Sequence, residues 1–326
     1  MQKKDLIRDH NELFGMKGMN KKIPEHGFYL FKSCFIGLEY PGAESSARFV
    51  LNKLGVDYYD DPRQSCCTGM GINLDIVPSL VTAVLSARNF TLANETNHPF
   101  FATMCSTCYG VNKEACEWMN HNPPFYEQVK NILSKVGLEV KKEYLKAENV
   151  YHLFEVFYQW KEAIKDQIVV DFSDIRIASH HGCHFYKLFP KDALGDPENV
   201  QGLDELVKIT GAESISWYPE KNLCCGSGFR HRFLNRELSY AAAYDKLMSV
   251  KDAGAEILIN MCPMCAFQFD RSEALIEKKM AIELGIMHLN IAQLLALSLG
   301  ADPYNVVGVQ THSVKLDPIL RKLKLI

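Results

Sequence analysis

The sequence predicts an α/β protein of two tandem similar domains, each a small parallel sheet with flanking helices. Thiolate-rich sites are expected at the strand C-terminal ends, near the domain interface. Ten of the eleven cysteines fall into one pattern used twice: Cys34, Cys66-Cys67 and Cys105-Ser-Thr-Cys108, then Cys183, Cys224-Cys225 and Cys262-Pro-Met-Cys265. The second copy trails the first by 149 residues at the lone cysteine, 158 at the vicinal pair and 157 at the C-x-x-C. Around the cysteines, short apolar runs alternate with longer helical stretches, the pattern of a parallel sheet with crossover helices.

Residues 1–26 are polar and mildly basic, punctuated by Gly15, Gly18 and Pro24, and read as an extension before the repeat and a candidate docking arm. The first domain is expected over 27–170 with its connecting helices, the second over 171–326. In each, a short apolar strand (28–33; 175–179) delivers the lone cysteine at its end. A helix follows, and a second strand (56–59; 214–218) runs into the vicinal pair. The turn after the pair carries glycine, Thr68-Gly-Met-Gly71 or Gly226-Ser-Gly228. Only glycine cheaply allows the close backbone approach and positive φ that wrapping a metal centre requires. A long amphipathic helix then leads to a third strand (100–104; 257–261), which sets the C-x-x-C onto the start of another helix. In open parallel sheets, sites form beyond the strand C-termini, where all three cysteine groups fall. The stretch from 126 to 166 reads as a helical connection, with Phe154, Phe157, Tyr158 and Trp160 on a core-facing stripe. Cys116 has no counterpart in the second copy and reads as a buried structural thiol.

Composition narrows the function classes. Hydrophobic residues at 47% and charged residues at 23% supply ample core for a globular chain. A net charge of −3 argues against binding nucleic acid or an acidic membrane surface. The best apolar run, 291–299, falls short of the roughly 18–20 residues of a spanning helix. The first eight residues are charged and lack an apolar signal core, so a cytoplasmic location with free thiols is expected. A disulfide framework fits poorly, because adjacent cysteines rarely meet disulfide geometry.

Soft thiolates suit iron–sulfur clusters, zinc or copper(I). Five per copy exceed the four of a zinc, [2Fe–2S] or cubane [4Fe–4S] site. Zinc is the inorganic rival, but zinc ribbons use two short knuckles and have no use for a fifth thiolate, so iron–sulfur is the preferred reading. Basic residues crowd the second copy: His180, His181, His184 and Lys187 flank Cys183, Lys221 precedes Cys224, and Arg230-His231-Arg232 follows Cys225. Any one of them reads as a cap or an ion-pair partner. Together they suit an anionic substrate and a proton source. Arg230 and His231 are the leading catalytic candidates, with His181 beside them; His312 reads as structural.

The register C-x(31)-C-C-x(37)-C-x-x-C, then C-x(40)-C-C-G-x(36)-C-x-x-C, resembles the duplicated cysteine-rich CCG-domain family, which includes the B subunits of heterodisulfide reductase. The resemblance runs from about 27 to 320 and includes the closing Gly308-Val-Gln-Thr-His-Ser-Val-Lys-Leu-Asp-Pro318. It departs at Cys66-Cys67-Thr68, where glycine comes one place late, which puts only the local turn in question. The resemblance implies two noncubane [4Fe–4S] clusters, each on five cysteines: Cys34, Cys66, Cys67, Cys105 and Cys108, then Cys183, Cys224, Cys225, Cys262 and Cys265. It implies reduction of the heterodisulfide of coenzyme M and coenzyme B (CoM-S-S-CoB) to two thiols, each cluster handling one electron and one sulfur. It also implies a place in methanogenesis, within a multisubunit complex that holds two further kinds of chain. These are the ferredoxin-like C subunit, which delivers electrons, and the flavin-carrying A subunit. The chain has no G-x-G-x-x-G fingerprint of its own. Relatives of the same class pass electrons in lactate, glycolate, glycerol-3-phosphate or succinate oxidoreductases, or serve a sulfur-oxidising complex. An electron relay is therefore the alternative function, and a purely structural metal scaffold a third.

Overall fold

Phe28, Tyr29, Leu30 and Phe31 are fully buried, and so are Ile257, Leu258 and Ile259. Runs apolar on both faces suit central strands of a parallel sheet covered by helices, and each sits at the middle of one. A computed structural model of the chain describes residues 21–228 and 230–326. The expected arm at 1–26 lies mostly outside them.

The first half runs β1 (Phe28–Phe31), α1 (Cys34–Glu39), α2 (Pro41–Leu54), β2 (Tyr58–Tyr59), α3 (Gly69–Asn73), α4 (Ser79–Glu95), β3 (Phe100–Thr103), α5 (Ser106–His121) and α6 (Pro123–Ser134). It closes with β4 (Val150–His152), α7 (Leu153–Gln159) and α8 (Lys161–Lys165). The second half repeats the plan with β5 (Arg176–His180), α9 (Cys183–Tyr186), α10 (Gly202–Ile209), β6 (Glu213–Ile215), α11 (His231–Leu234) and α12 (Arg236–Asp252). Then come β7 (Ile257–Asn260), α13 (Pro263–Met280), β8 (Met287–Asn290), α14 (Ile291–Ser298) and α15 (Asp317–Lys322).

Each half holds a four-stranded parallel sheet, ordered β2-β1-β3-β4 and β6-β5-β7-β8. The α/β class with two tandem parallel sheets therefore stands, with one strand more per sheet than the sequence pattern predicts. β4 falls inside the stretch read as a helical connection. Its three residues precede α7, and the helical apolar period of α7 hides them. β4 and β8 also carry no cysteine. They end in capping boxes, His152 with Glu155 and Asn290 with Gln293, which start α7 and α14. Phe154 and Phe157 are fully buried; Tyr158 and Trp160 only partly so.

The halves exchange helices. α14, which follows the last strand of the second half, packs on α2 of the first. α7, which follows the last strand of the first half, packs on α10 of the second. Each half's first crossover helix is thus covered by the other half.

Candidate metal centres and the cleft between the halves

Strand ends place the cysteines. Cys34 opens α1 just past β1, where the Ser33 hydroxyl accepts the Phe35 amide. Cys105 caps α5 past β3, and Cys108 lies in its first turn. Cys66 and Cys67 arrive after β2 and turn through Thr68, which takes the left-handed φ of 59° where the second copy has Gly226 at 86°. The departure at Thr68 is accommodated by a strained threonine, and the turn keeps its shape.

The five sulfurs converge. Cys34 and Cys66 Sγ lie 3.6 Å apart, Cys67 and Cys108 Sγ 3.2 Å apart. The Thr68 amide points at Cys66 Sγ at 3.3 Å, and the Gly69 amide at Cys67 Sγ at 3.4 Å. The second set repeats this: Cys183 opens α9, Cys262 caps α13, and the Gly226 amide points at Cys224 Sγ at 3.4 Å. Across the interface, Cys105 and Cys262 Sγ approach to 3.7 Å. Neighbouring thiols Cys34 and Cys67 press Cys66 down to about 2, while that shared hydrogen bond and burial push Cys34 far up. Cys224 is likewise pulled down by Cys183 and Cys225. Crowded sulfurs of this kind, ringed by backbone N–H groups, fit a cationic iron–sulfur centre, whose charge removes the conflict between the thiolates.

A cleft of about 250 Å³ lies between the halves. The five cysteines of the first set wall one side; His184, Ser227, Arg230, Phe233 and Met264 wall the other. Cys34 and Cys66 are exposed, whereas Cys183 and Cys224 are half-buried. A larger, shallower depression of about 760 Å³ beside Trp217 has no cysteine in its lining.

The predicted substrate residues separate. Arg230 lines the cleft and reaches into the first half, its Nε donating to Asn73 O at 2.8 Å and its guanidinium pairing with Asp75. His231 is exposed near the cleft, its Nδ1 3.1 Å from Gly228 O. His181 is placed elsewhere. Its Nε2 accepts the Leu203 amide at 3.1 Å and its ring packs on Tyr186, so it serves the α10 N-terminus and does not line the cleft. His184 does line the cleft, with burial holding its pKa down. Lys221 is buried in an ion pair with Asp204, and Lys187 donates to Asn222 O at 3.4 Å. Arg232 lies over Phe267 and donates to Gln268 Oε1 at 2.5 Å. His312 is buried, its Nε2 3.0 Å from Gln293 Nε2. Cys116 is fully buried on α5, and burial raises its thiol. Lys246 and Ser106, both buried beside the cysteines, carry no signal in the sequence pattern; only superposing the two copies singles them out.

Two sets of five cysteines at the ends of two duplicated parallel sheets define a duplicated cysteine-rich domain protein, and the cysteine-rich CCG domain family matches residues 28–111 and 177–270. The chain belongs to the family of heterodisulfide reductase B subunits, an oxidoreductase family. It is 43% identical over 94% of its length to the B subunit of "Ferredoxin:CoB-CoM heterodisulfide reductase" of Methanosarcina acetivorans, covering 99% of that protein. It is 25% identical, over 88% of its length and 96% of the relative's, to the "8-methylmenaquinol:fumarate reductase membrane anchor subunit" of Wolinella succinogenes. A hypothetical protein from Helicobacter pylori shares the fold, with a TM-score of 0.66 at 17% identity over 96% of this chain, which spans 57% of that structure. Among the described residues, no helix is long and apolar enough to cross a membrane.

Proposed function

We propose that this chain is the catalytic iron–sulfur subunit that reduces the heterodisulfide of coenzyme M and coenzyme B to two thiols. It would work with the ferredoxin-like C subunit of such a complex, together with its flavin-carrying A subunit, in the cytoplasm of a methanogenic metabolism. The observation that carries this reading is the 3.7 Å approach of Cys105 and Cys262, which sets two five-cysteine groups side by side, the first of them walling the cleft between the halves. A disulfide takes two electrons, and two noncubane [4Fe–4S] clusters held by the ten cysteines would supply one each. The chain's own side chains do the remaining work. Arg230 orients an anionic end of the substrate at the cleft mouth. His231, beside the cleft, relays protons to the departing thiols, and His184, its pKa lowered by burial, lines the cleft as a hydrogen-bonding group for the substrate. Phe233 and Met264 exclude water from the cleft.

The test begins with iron and sulfide analysis, followed by addition of the mixed disulfide to the oxidised protein under EPR. A new paramagnetic signal is expected. Cys224→Ala, which removes one ligand of the second set, is expected to abolish disulfide reduction; full retained activity would sink the two-centre scheme. A relay is the second reading, favoured by the likeness to the fumarate reductase anchor. Under it, the disulfide elicits no signal.

A further inference from the structure

The two centres share their cysteine plan but differ in what surrounds it. Phe31 pairs with Thr103 on β3, and His180 pairs with Asn260 on β7. Thr103 and Asn260 are related by the same 157-residue offset as the C-x-x-C cysteines, so Phe31 and His180 hold one structural place, three residues before each lone cysteine. Phe31 stacks on Phe101 at 5.2 Å and offers no donor. His180 is 2% exposed, and one of its ring nitrogens lies within 4.8 Å of Cys225 and Cys265 Sγ. Neither ring nitrogen has a hydrogen-bond partner among the described residues. Neutral imidazole still carries one N–H, and thiolate sulfur is the acceptor this one faces.

A second difference lies on the long crossover helices. α4 and α12 each span 17 residues and begin 157 apart, so Asn89 corresponds to Lys246. Asn89 is neutral and spends its amide on Ser65, donating to the carbonyl at 3.0 Å and accepting the N–H at 2.9 Å. Lys246 is fully buried and anchored on the carbonyls of Glu220 and Lys221; desolvation pulls its pKa down to about 7, only partly opposed by the nearby Cys225 and Cys265.

The third difference crosses the interface. Ser106, inside the first C-x-x-C, is 1% exposed and its hydroxyl has no partner among the described residues. It packs so tightly on Gly182 that a Cβ there would collide with Ser106 Oγ, and that Cβ would lie 3.4 Å from Cys262 Cβ. The hydroxyl therefore borders the second set. Its counterpart is Pro263, which has neither hydroxyl nor N–H.

We propose that His180, Lys246 and Ser106 form a donor shell around the second cysteine set alone, raising that centre's reduction potential above the first, so that the first of two electrons settles there. This rests on the iron–sulfur reading above. Hydrogen bonds to sulfur, nearby charge and exposure are the protein's levers on cluster potential. Water at the exposed Cys34 and Cys66 works in the opposite sense, raising the first centre. Buried donors act through a low-dielectric interior, whereas water at exposed sulfurs is screened, so the shell prevails. Each reduction adds one electron and neither makes nor breaks a bond.

The test is a reductive titration of the full chain carrying iron and sulfide, with dithionite as electron source, followed by EPR and visible absorption. Two one-electron waves are expected. Ser106→Ala, His180→Phe and Lys246→Met should each lower the upper wave and leave the lower one in place. Ser106→Ala removes a single oxygen and keeps the protein testable should the larger changes disturb folding. It is also the sharpest probe, since a change in the first C-x-x-C should move the second centre. Coincident waves, an unmoved upper wave or a shift confined to the lower wave would overturn the shell while leaving the clusters standing. A chain that binds no iron and sulfide would overturn both.

Discussion

Arg230 adopts a φ of 77°, a left-handed conformation unfavourable for a bulky residue with a Cβ, and pairs with Asp75, itself at 55°. Two strained residues from opposite halves thus meet at the mouth of the cleft. A charged hydrogen bond contributes about 1.5–3 kcal/mol, and about 1.4 kcal/mol is tenfold in affinity. Arg230→Met is therefore expected to raise KM for the anionic disulfide by roughly 10–100-fold, with a smaller change in kcat. Arg230→Lys should recover only part of the loss, because a point charge cannot reproduce the guanidinium fork. Steady-state kinetics check this; a fall in kcat at unchanged KM would remove Arg230 from substrate binding. At this scale the ten cysteines were legible because their spacing repeats. The histidines were not: His180, His181 and His184 are neighbours in sequence, yet one faces the sulfurs, one caps α10 and one lines the cleft. A strand end and the turn after it point consecutive side chains in different directions, which spacing cannot reveal.

Among the elements, α2 shows how closely the exchanged parts fit. A Cβ on Gly42 would collide with the carbonyl of Val307, in the segment that follows α14. Overpacking of this kind costs about 1–3 kcal/mol, so Gly42→Ala should lower stability by about 2 kcal/mol. Gly37, in the preceding helix, has nothing within 4 Å of the equivalent position. Gly37→Ala should be neutral or stabilising by up to about 1 kcal/mol. Denaturant unfolding of the two variants separates the effects; equal losses would mean that helix conformation matters here and the contact does not. The strands that carry cysteine were visible in the sequence. β4 and β8 were not, since a strand of three or four residues leaves too little alternation to stand out beside an apolar helix.

For the whole molecule, a buried carboxylate ties the halves together. Asp270 on α13 accepts the Tyr40 hydroxyl at 2.8 Å, the Ser313 amide at 2.9 Å and the Val314 amide at 3.0 Å. Burial opposes its charge, but His288 and those amides win and hold its pKa below the usual value. A depressed native pKa means the unfolded chain binds protons first as pH falls. The stability from Asp270 is therefore complete above the unfolded value of about 3.9 and lost as pH drops through the lower native value. Asp270→Asn should cost about 2 kcal/mol at neutral pH and flatten the acid limb of a stability–pH curve. An unchanged limb would show that the carboxylate does not couple the halves.

The sequence by itself determined the duplication, the ten-cysteine register, the parallel α/β class and the family, because repeated cysteines at strand ends survive as a pattern in one dimension. Tertiary structure alone decided that the two sets meet through Cys105 and Cys262, that each half covers the other's crossover helix, and which basic side chains face sulfur. Those facts depend on contacts between residues as far apart as Cys105 and Cys262, or Tyr40 and Asp270, and such contacts exist only once the two sheets are packed together.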